Sequence, residues 1–324
     1  MSRKGMLHSL AVVIFLVGSI VAGQQVLAAD ELAQDFSFSV NERPSLRIKN
    51  ITGTVKVETW DKMEIKVSLT KRSDDVRVNV REEKAANRVS FEVEDMRPLA
   101  LFNFMDRKRV DFVAYVPRLT DFEGNLVSGD MSVEGAVGSL GDLSVRTVSA
   151  DVVVDSAKNT RVETTSGKID IREIDGRVQA KSVSGDVVVD VAEDTEVDTT
   201  SGRIELRKIE GKVAVDTVSG RIDVTDTEAS DMRIKSTSGD ILAETSIKEG
   251  GSYSFGTISG RIALKLPKDT QAMIDASFVS SGVSVDFPVR LESTGNREFR
   301  GVIGDGRAQI RINTVSGKID VLRK

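Results

Sequence analysis

The sequence predicts an all-β chain wound as a parallel β-solenoid. The expected form is a single-stranded, right-handed β-helix-like rod of ~18-residue coils behind a less regular N-terminal β region. Three observations predict it. First, a Ser-Gly corner recurs about every 18 residues, as in Thr164-Thr165-Ser166-Gly167-Lys168-Ile169-Asp170-Ile171 and Thr199-Thr200-Ser201-Gly202-Arg203-Ile204-Glu205-Leu206. Second, apolar residues sit two and four places after the corner, which is the period of a strand with one inward face. Third, aromatic residues make up only 5% of the chain, which suits a rod two strands thick with a core of Val, Ile and Leu.

Residues 1–29 read as an export signal. Arg3 and Lys4 form the basic start, Leu10 to Val21 the apolar stretch, and Val26-Leu27-Ala28-Ala29 a small-residue cleavage site. The competing reading keeps Met6 to Leu27 as a membrane anchor, although His8, Ser9, Gln24 and Gln25 interrupt it. Export would place the protein in the periplasm, at the cell surface or outside the cell. There is no Cys, so an exported chain has no disulfide staples and no thiol for lipid attachment. The net charge of −5 becomes more negative once Arg3 and Lys4 are removed. With no strong basic patch, a nucleic-acid partner is not expected.

Residues 30–118 alternate less regularly. Runs at 36–40, 46–49, 54–59, 64–69, 76–80, 89–94 and 110–116 predict strands separated by turns, a meander of hairpins serving as a small β region or N-terminal cap. Ile51-Thr52-Gly53-Thr54-Val55-Lys56-Val57 looks like one early corner. An apolar insert at 97–109 carries Leu99, Leu101, Phe102, Phe104 and Met105, bracketed by Arg97, Arg107, Lys108 and Arg109. It reads either as a loop over the rod end or as a peripheral membrane or partner contact.

Residues 119–324 carry the regular coils and a C-terminal cap. The corner glycines are Gly129, Gly167, Gly185, Gly202, Gly220, Gly239, Gly260, Gly282 and Gly317, with Ala150 in the same place in one coil. Glycine here would supply φ > 0 or allow two backbones to pass closely, and Ala150 implies that not every coil needs φ > 0. Before the corner, Val145, Val162, Ala180, Val197, Val215, Ile234, Phe255 and Ile312 share one inward register. Thr147, Thr164, Ser182, Thr199, Thr217, Ser236, Thr257 and Thr314 follow as an expected hydroxyl ladder. Two places before the corner, Val and Thr alternate from Val148 to Thr237, so the repeating unit is two coils. The residues after the corners mostly alternate in sign along Asp130, Asp151, Lys168, Asp186, Arg203, Arg221, Asp240 and Arg261, with Asp130 next to Asp151 and Arg203 next to Arg221 the exceptions, which predicts a surface ion ladder. Gly301, Gly304 and Gly306 read as a turn before a strand at 308–313, and the corner at Ser316-Gly317 is expected to close the rod.

Catalytic chemistry is poorly supplied. The single His is His8, inside the signal, so the mature chain has neither imidazole nor thiol. That excludes Ser-His-Asp and Cys-His nucleophiles and zinc sites built on His or Cys. Two acidic clusters, Glu193-Asp194 with Glu196 and Asp198, and Asp226 with Glu228 and Asp231, could attract calcium. They lack EF-hand spacing and read as solvated loops. No catalytic residue, metal or cofactor is assigned.

The chain over residues 36–324 resembles the bacterial DUF4097 family, exported proteins with β-strand repeats to which an adhesin role is ascribed. The carrying residues are Ile51-Thr52-Gly53-Thr54-Val55-Lys56-Val57 with Trp60-Asp61, the serial Thr-x-Ser-Gly units and the Gly-rich C-terminal turn. The resemblance implies a non-enzymatic, envelope-associated β-solenoid and carries over no site residues. The expected function is therefore a structural or interaction module with a protein or glycan partner at the envelope or surface. The alternatives are a polysaccharide-binding or polysaccharide-active β-helix and an envelope stress or sensing component.

Overall fold

The computed structural model describes residues 32–96, 108–135, 140–280 and 282–324. The expected signal, 1–29, and the insert residues Leu99, Leu101, Phe102, Phe104, Met105 and Arg107 lie outside them. The described chain forms one 26-stranded sheet that winds as a parallel β-solenoid. A typical coil enters along Asn159–Ser166, turns at the Ser-Gly corner, leaves along Ile169–Ile174 and returns through Asp175-Gly176 into Arg177–Ser184.

Two parallel ladders result. Before the corner, Val162, Ala180, Val197, Val215, Ile234, Phe255 and Ile312 stand in register. After it, Val152, Ile169, Val187, Ile204, Ile222, Ile241, Ile262 and Ile319 do so. All are buried. A one-residue slip in any coil would turn its Val and Ile to water and its Lys and Asp inward, so the alternating pattern fixes the register.

The N-terminal region belongs to the same stack. Strand Ser45–Trp60 passes through Gly53 and pairs in parallel with Asp121–Glu134, so one sheet runs across residue 118. On its other side lie Arg88–Asp95 and Val110–Pro117, also parallel. The hairpin meander expected here is therefore only partly present. Antiparallel pairing is confined to Leu32–Ser39 on Glu64–Lys71, Glu64–Lys71 on Val110–Pro117, and Val76–Glu83 on Arg88–Asp95. These strands cover edges that a bare solenoid end would leave unpaired. Rings gather at this end: Phe91 meets Phe36 edge-on at 5.5 Å and Phe112 at 6.0 Å. A capping layer has room for large side chains that the two-stranded coils lack.

The C-terminal coil does not close the rod as expected. Ala308–Ser316 and Ile319–Arg323 insert between the coil at 252–266 and the earlier segments Ala272–Phe278 and Val283–Val285. The outermost strands of the pre-corner ladder at this end are Glu298–Ile303 and Arg290–Thr294, both antiparallel. The register also corrects one corner. Val283 pairs with Ile319, as Val187 pairs with Ile204, so Gly282 lies one residue beyond the corner slot. The Ile319 N–H accordingly donates to the Gly282 carbonyl, where other coils use the residue after the corner.

Candidate functional site

Gly129, Gly167, Gly185, Gly202, Gly220, Gly239, Gly260 and Gly317 stack in one column with Gly53 and Ala150. A side chain built on each of these eight would run into a backbone carbonyl of the adjacent coil. Two kinds of corner occur within it. Gly202, with φ +131°, has a left-handed backbone that L side chains rarely adopt. Ala150 is not in that region and tolerates its methyl.

At Ala150, Gly185 and Gly239, none of which has positive φ, the next residue is Asp. Its carboxylate accepts the backbone N–H after the corner in the next coil. Lys168 donates to Asp151 at 2.7 Å, Arg203 to Asp186 at 2.8 Å and Arg261 to Asp240 at 2.8 Å. Asp111 does the same for Thr54 at 2.7 Å. Burial pushes the Asp111 carboxyl up, but hydrogen bonds from Arg109 and Thr54 outweigh it and hold it below its ordinary value.

This arrangement replaces the post-corner ion ladder expected from the alternating charges. The acids bind backbone, while the cations pair mostly along their own strands, Lys168 with Asp170 at 2.7 Å and Arg221 with Asp223 at 2.7 Å. Ion pairs between coils lie further along the post-corner strands, where Arg172 meets Asp155 at 2.7 Å and Arg261 meets Asp320 at 2.6 Å, and on the pre-corner face, where Arg146 meets Glu163 at 3.1 Å and Lys181 meets Asp198 at 2.7 Å. The hydroxyl ladder is present in pieces. Thr147 donates to Thr164 at 2.8 Å and Thr199 bonds Thr217 at 2.9 Å, while Ser182, Ser236 and Thr314 have no hydrogen-bond partner for their buried hydroxyls.

The first of the two acidic clusters is dispersed into this scaffold. Asp194 accepts from the Lys212 backbone at 2.9 Å and pairs with Arg177 at 3.3 Å, Glu196 accepts from Gln179 at 2.9 Å, and Asp198 takes Lys181. Among the described residues no group of His, Cys, Asp and Glu is placed to hold a metal ion. Of the insert's basic flank, Lys108 pairs with Asp95 at 2.5 Å and Arg109 with Asp111 at 2.9 Å.

What the scaffold presents outward is a ridge beside the corner column. Val127, Val148, Val183, Val218, Ile258 and Val315 point to solvent two places before the corner, with Val279 in the slot of the last coil. Exposure runs from 44% at Val127 to 53% at Ile258. The intervening Thr165, Thr200 and Thr237 are also exposed. Isolated surface valines are ordinary. Here the side chains share one register and repeat at the coil spacing of about 4.8 Å, so they make a continuous edge. Nothing in the core requires β-branched apolar residues there. The Val–Thr alternation was readable in the sequence, but its exposure was not, since exposure depends on where the corner turns.

The Toastrack DUF4097 family model matches residues 41–211 and 191–322. No match was found among curated proteins. The chain is similar to several solved structures at low identity. One is a provisionally named cell adhesion protein from Clostridium sporogenes, at 10% identity and TM-score 0.23, covering 90% of this chain and 100% of that one. Another is a provisionally named adhesin from Bacteroides fragilis, at 10% identity and TM-score 0.34, covering 90% and 97%. A third is a provisionally named lipid binding protein from Parabacteroides distasonis, at 9% identity and TM-score 0.39, covering 90% and 96%. At these scores the likenesses say nothing of what this chain binds. The stacked Ser-Gly coils and the two long stretches matched by the family model place this chain in the Toastrack DUF4097 family.

Proposed function

We propose that this protein is an exported β-solenoid of the cell envelope that acts as a non-enzymatic interaction module, with the Val–Thr ridge as its adhesive edge. The observation that carries the reading is the ridge itself, an unbroken line of exposed β-branched side chains along a rigid rod. Such an edge offers many weak, equivalent contacts to an extended surface partner, protein or glycan, and its affinity comes from their number. The signal-like N-terminus supports export. Among the described residues no helix is long and apolar enough to cross a membrane.

The test is adhesion of cells to surfaces coated with the purified chain. Replacing Val148, Val183 and Val218 together by Asp should lower retention at least tenfold while leaving the circular dichroism spectrum unchanged. Retention equal to wild type would remove the ridge from the mechanism. Turnover of any glycan in a reducing-end assay would overturn the non-enzymatic reading.

A further inference from the structure

On the pre-corner face at the C-terminal end lies a groove of about 540 Å³. Its floor follows the column four places before the corner. Elsewhere this column carries long charged side chains such as Arg146, Glu163 and Lys181, but here it holds Gly256, Asn313 and Ser277. One wall is the end of the ridge, where Ile258, Val315 and Val279 follow one another with no intervening Thr, beside the half-buried Phe278. Lys235 and Arg297 stand at the two ends.

Two features mark the groove as more than a gap between coils. Gly256 has no structural reason to be glycine. Its φ lies outside the left-handed region, and an added Cβ would find only the Asn313 carbonyl oxygen, at 3.9 Å. Glycine weakens a strand interior, so its effect here is to keep the floor open. The second feature is uncompensated charge. Lys235, Arg297 and the neighbouring outward Arg233 and Arg311 make no ion pair or side-chain hydrogen bond among the described residues, whereas Arg146, Arg177 and Lys181 on this face are paired. The nearby acids do not neutralise them: Asp275 is taken by Arg300 at 3.0 Å, Glu298 accepts from Ser293 at 3.0 Å, and Asp216, in register with Lys235, makes no ion pair with it.

We propose that the groove binds a single anionic amphiphile. The acidic head lies at the end where Lys235, Arg233 and Arg311 surround Ser254 and Gly256. The acyl chain runs along the rod over Ile258, Val315, Val279 and Phe278 toward the aliphatic stem of Arg297. From the strand of Lys235 to that of Val279 are three strand spacings, about 14 Å, which suits a medium-length chain. An apolar wall with few polar groups and a cationic end is the usual composition of a small-molecule site. The apolar segment of the chain itself, 97–109, is a poor occupant because its flanks are basic. The site does not rest on the ridge reading, and the two are separable.

The test is calorimetric titration of the full chain with dodecanoate below its micellar concentration, beside acetate, neutral dodecyl maltoside and anionic vesicles. Saturable one-to-one binding of dodecanoate, at least tenfold tighter than of acetate or the maltoside, is expected. Gly256→Leu should fill the floor and weaken binding at least tenfold with an unchanged Tm. Arg233→Gln with Lys235→Gln should weaken it about tenfold and reduce its salt dependence. Val148→Asp, far along the ridge, should leave it unchanged. Equal binding by Gly256→Leu, equal affinity for the neutral amphiphile, or binding only to vesicles would each overturn the proposal.

Discussion

At Gly202 two constraints coincide, a left-handed backbone and a carbonyl lying where a methyl would go. Gly202→Ala should therefore cost about 3 kcal/mol, strain and clash together. Ala150→Gly should cost under about 1 kcal/mol, since it only loosens the unfolded chain. Urea midpoints of the two variants measure the contrast. Asp320 is the one charged residue that is buried among the described residues. Burial pushes its carboxyl up, but hydrogen bonds from Lys318 at 2.7 Å and Arg261 at 2.6 Å outweigh this and hold it below the ordinary aspartate value. A lowered folded-state value means that its contribution is complete above the unfolded value, near pH 4, and fades as pH falls through the folded one. Asp320→Asn should be less stable than wild type by about 2 kcal/mol at neutral pH. The gap should narrow in urea titrations taken progressively below about pH 4.

Among the elements, the strands were the legible part. Ile169 with Ile171 and Ile204 with Leu206 announce period two, and the structure buries all four. The capping role of the aspartates was not legible. Asp186 advertises a charge, and the sequence alone cannot say that its target is the Arg203 backbone rather than the Arg203 side chain, because only the turn geometry exposes that N–H. Asp186→Ala should therefore cost about 1 kcal/mol even in high salt, where a surface ion pair would contribute nothing. Thermal melts with and without 1 M salt (about a 3 Å Debye length) separate the two accounts. The slip at Gly282 has a similar cause. The sequence offers Gly282 as the small residue for this corner, and it is Val283 meeting Ile319 across the ladder that puts Gly282 one place past it. The groove floor was hidden for a related reason. Gly256, Asn313 and Ser277 are neighbours only once the last coil has found its place.

For the whole molecule, stability is shared between neighbouring coils, so a unit can be removed without loss of the rest. Deleting residues 168–202 joins Gly167 to Arg203 and removes two coils, one with each kind of corner. The product should unfold cooperatively, and its longest dimension in solution scattering should shorten by about 10 Å. A non-cooperative melt would show that the coils are less equivalent than their registers imply. The family and the solenoid were both legible from the repeat. The order of coils at the two ends was not, because the coil at 308–323 matches the inward pattern of any other and only pairing with both 252–266 and 272–285 reveals its layer.

That late insertion has a consequence for biosynthesis. As the chain emerges from the ribosome, the winding at 252–266 has a permanent neighbour on one side only, the coil at 231–245, until residues 308–323 arrive to wedge themselves against the other. Nascent protein thus keeps one unsealed, sticky flank until that coil has been made. Under the export proposed above, such a delay is an advantage, since early compaction would jam passage across a membrane.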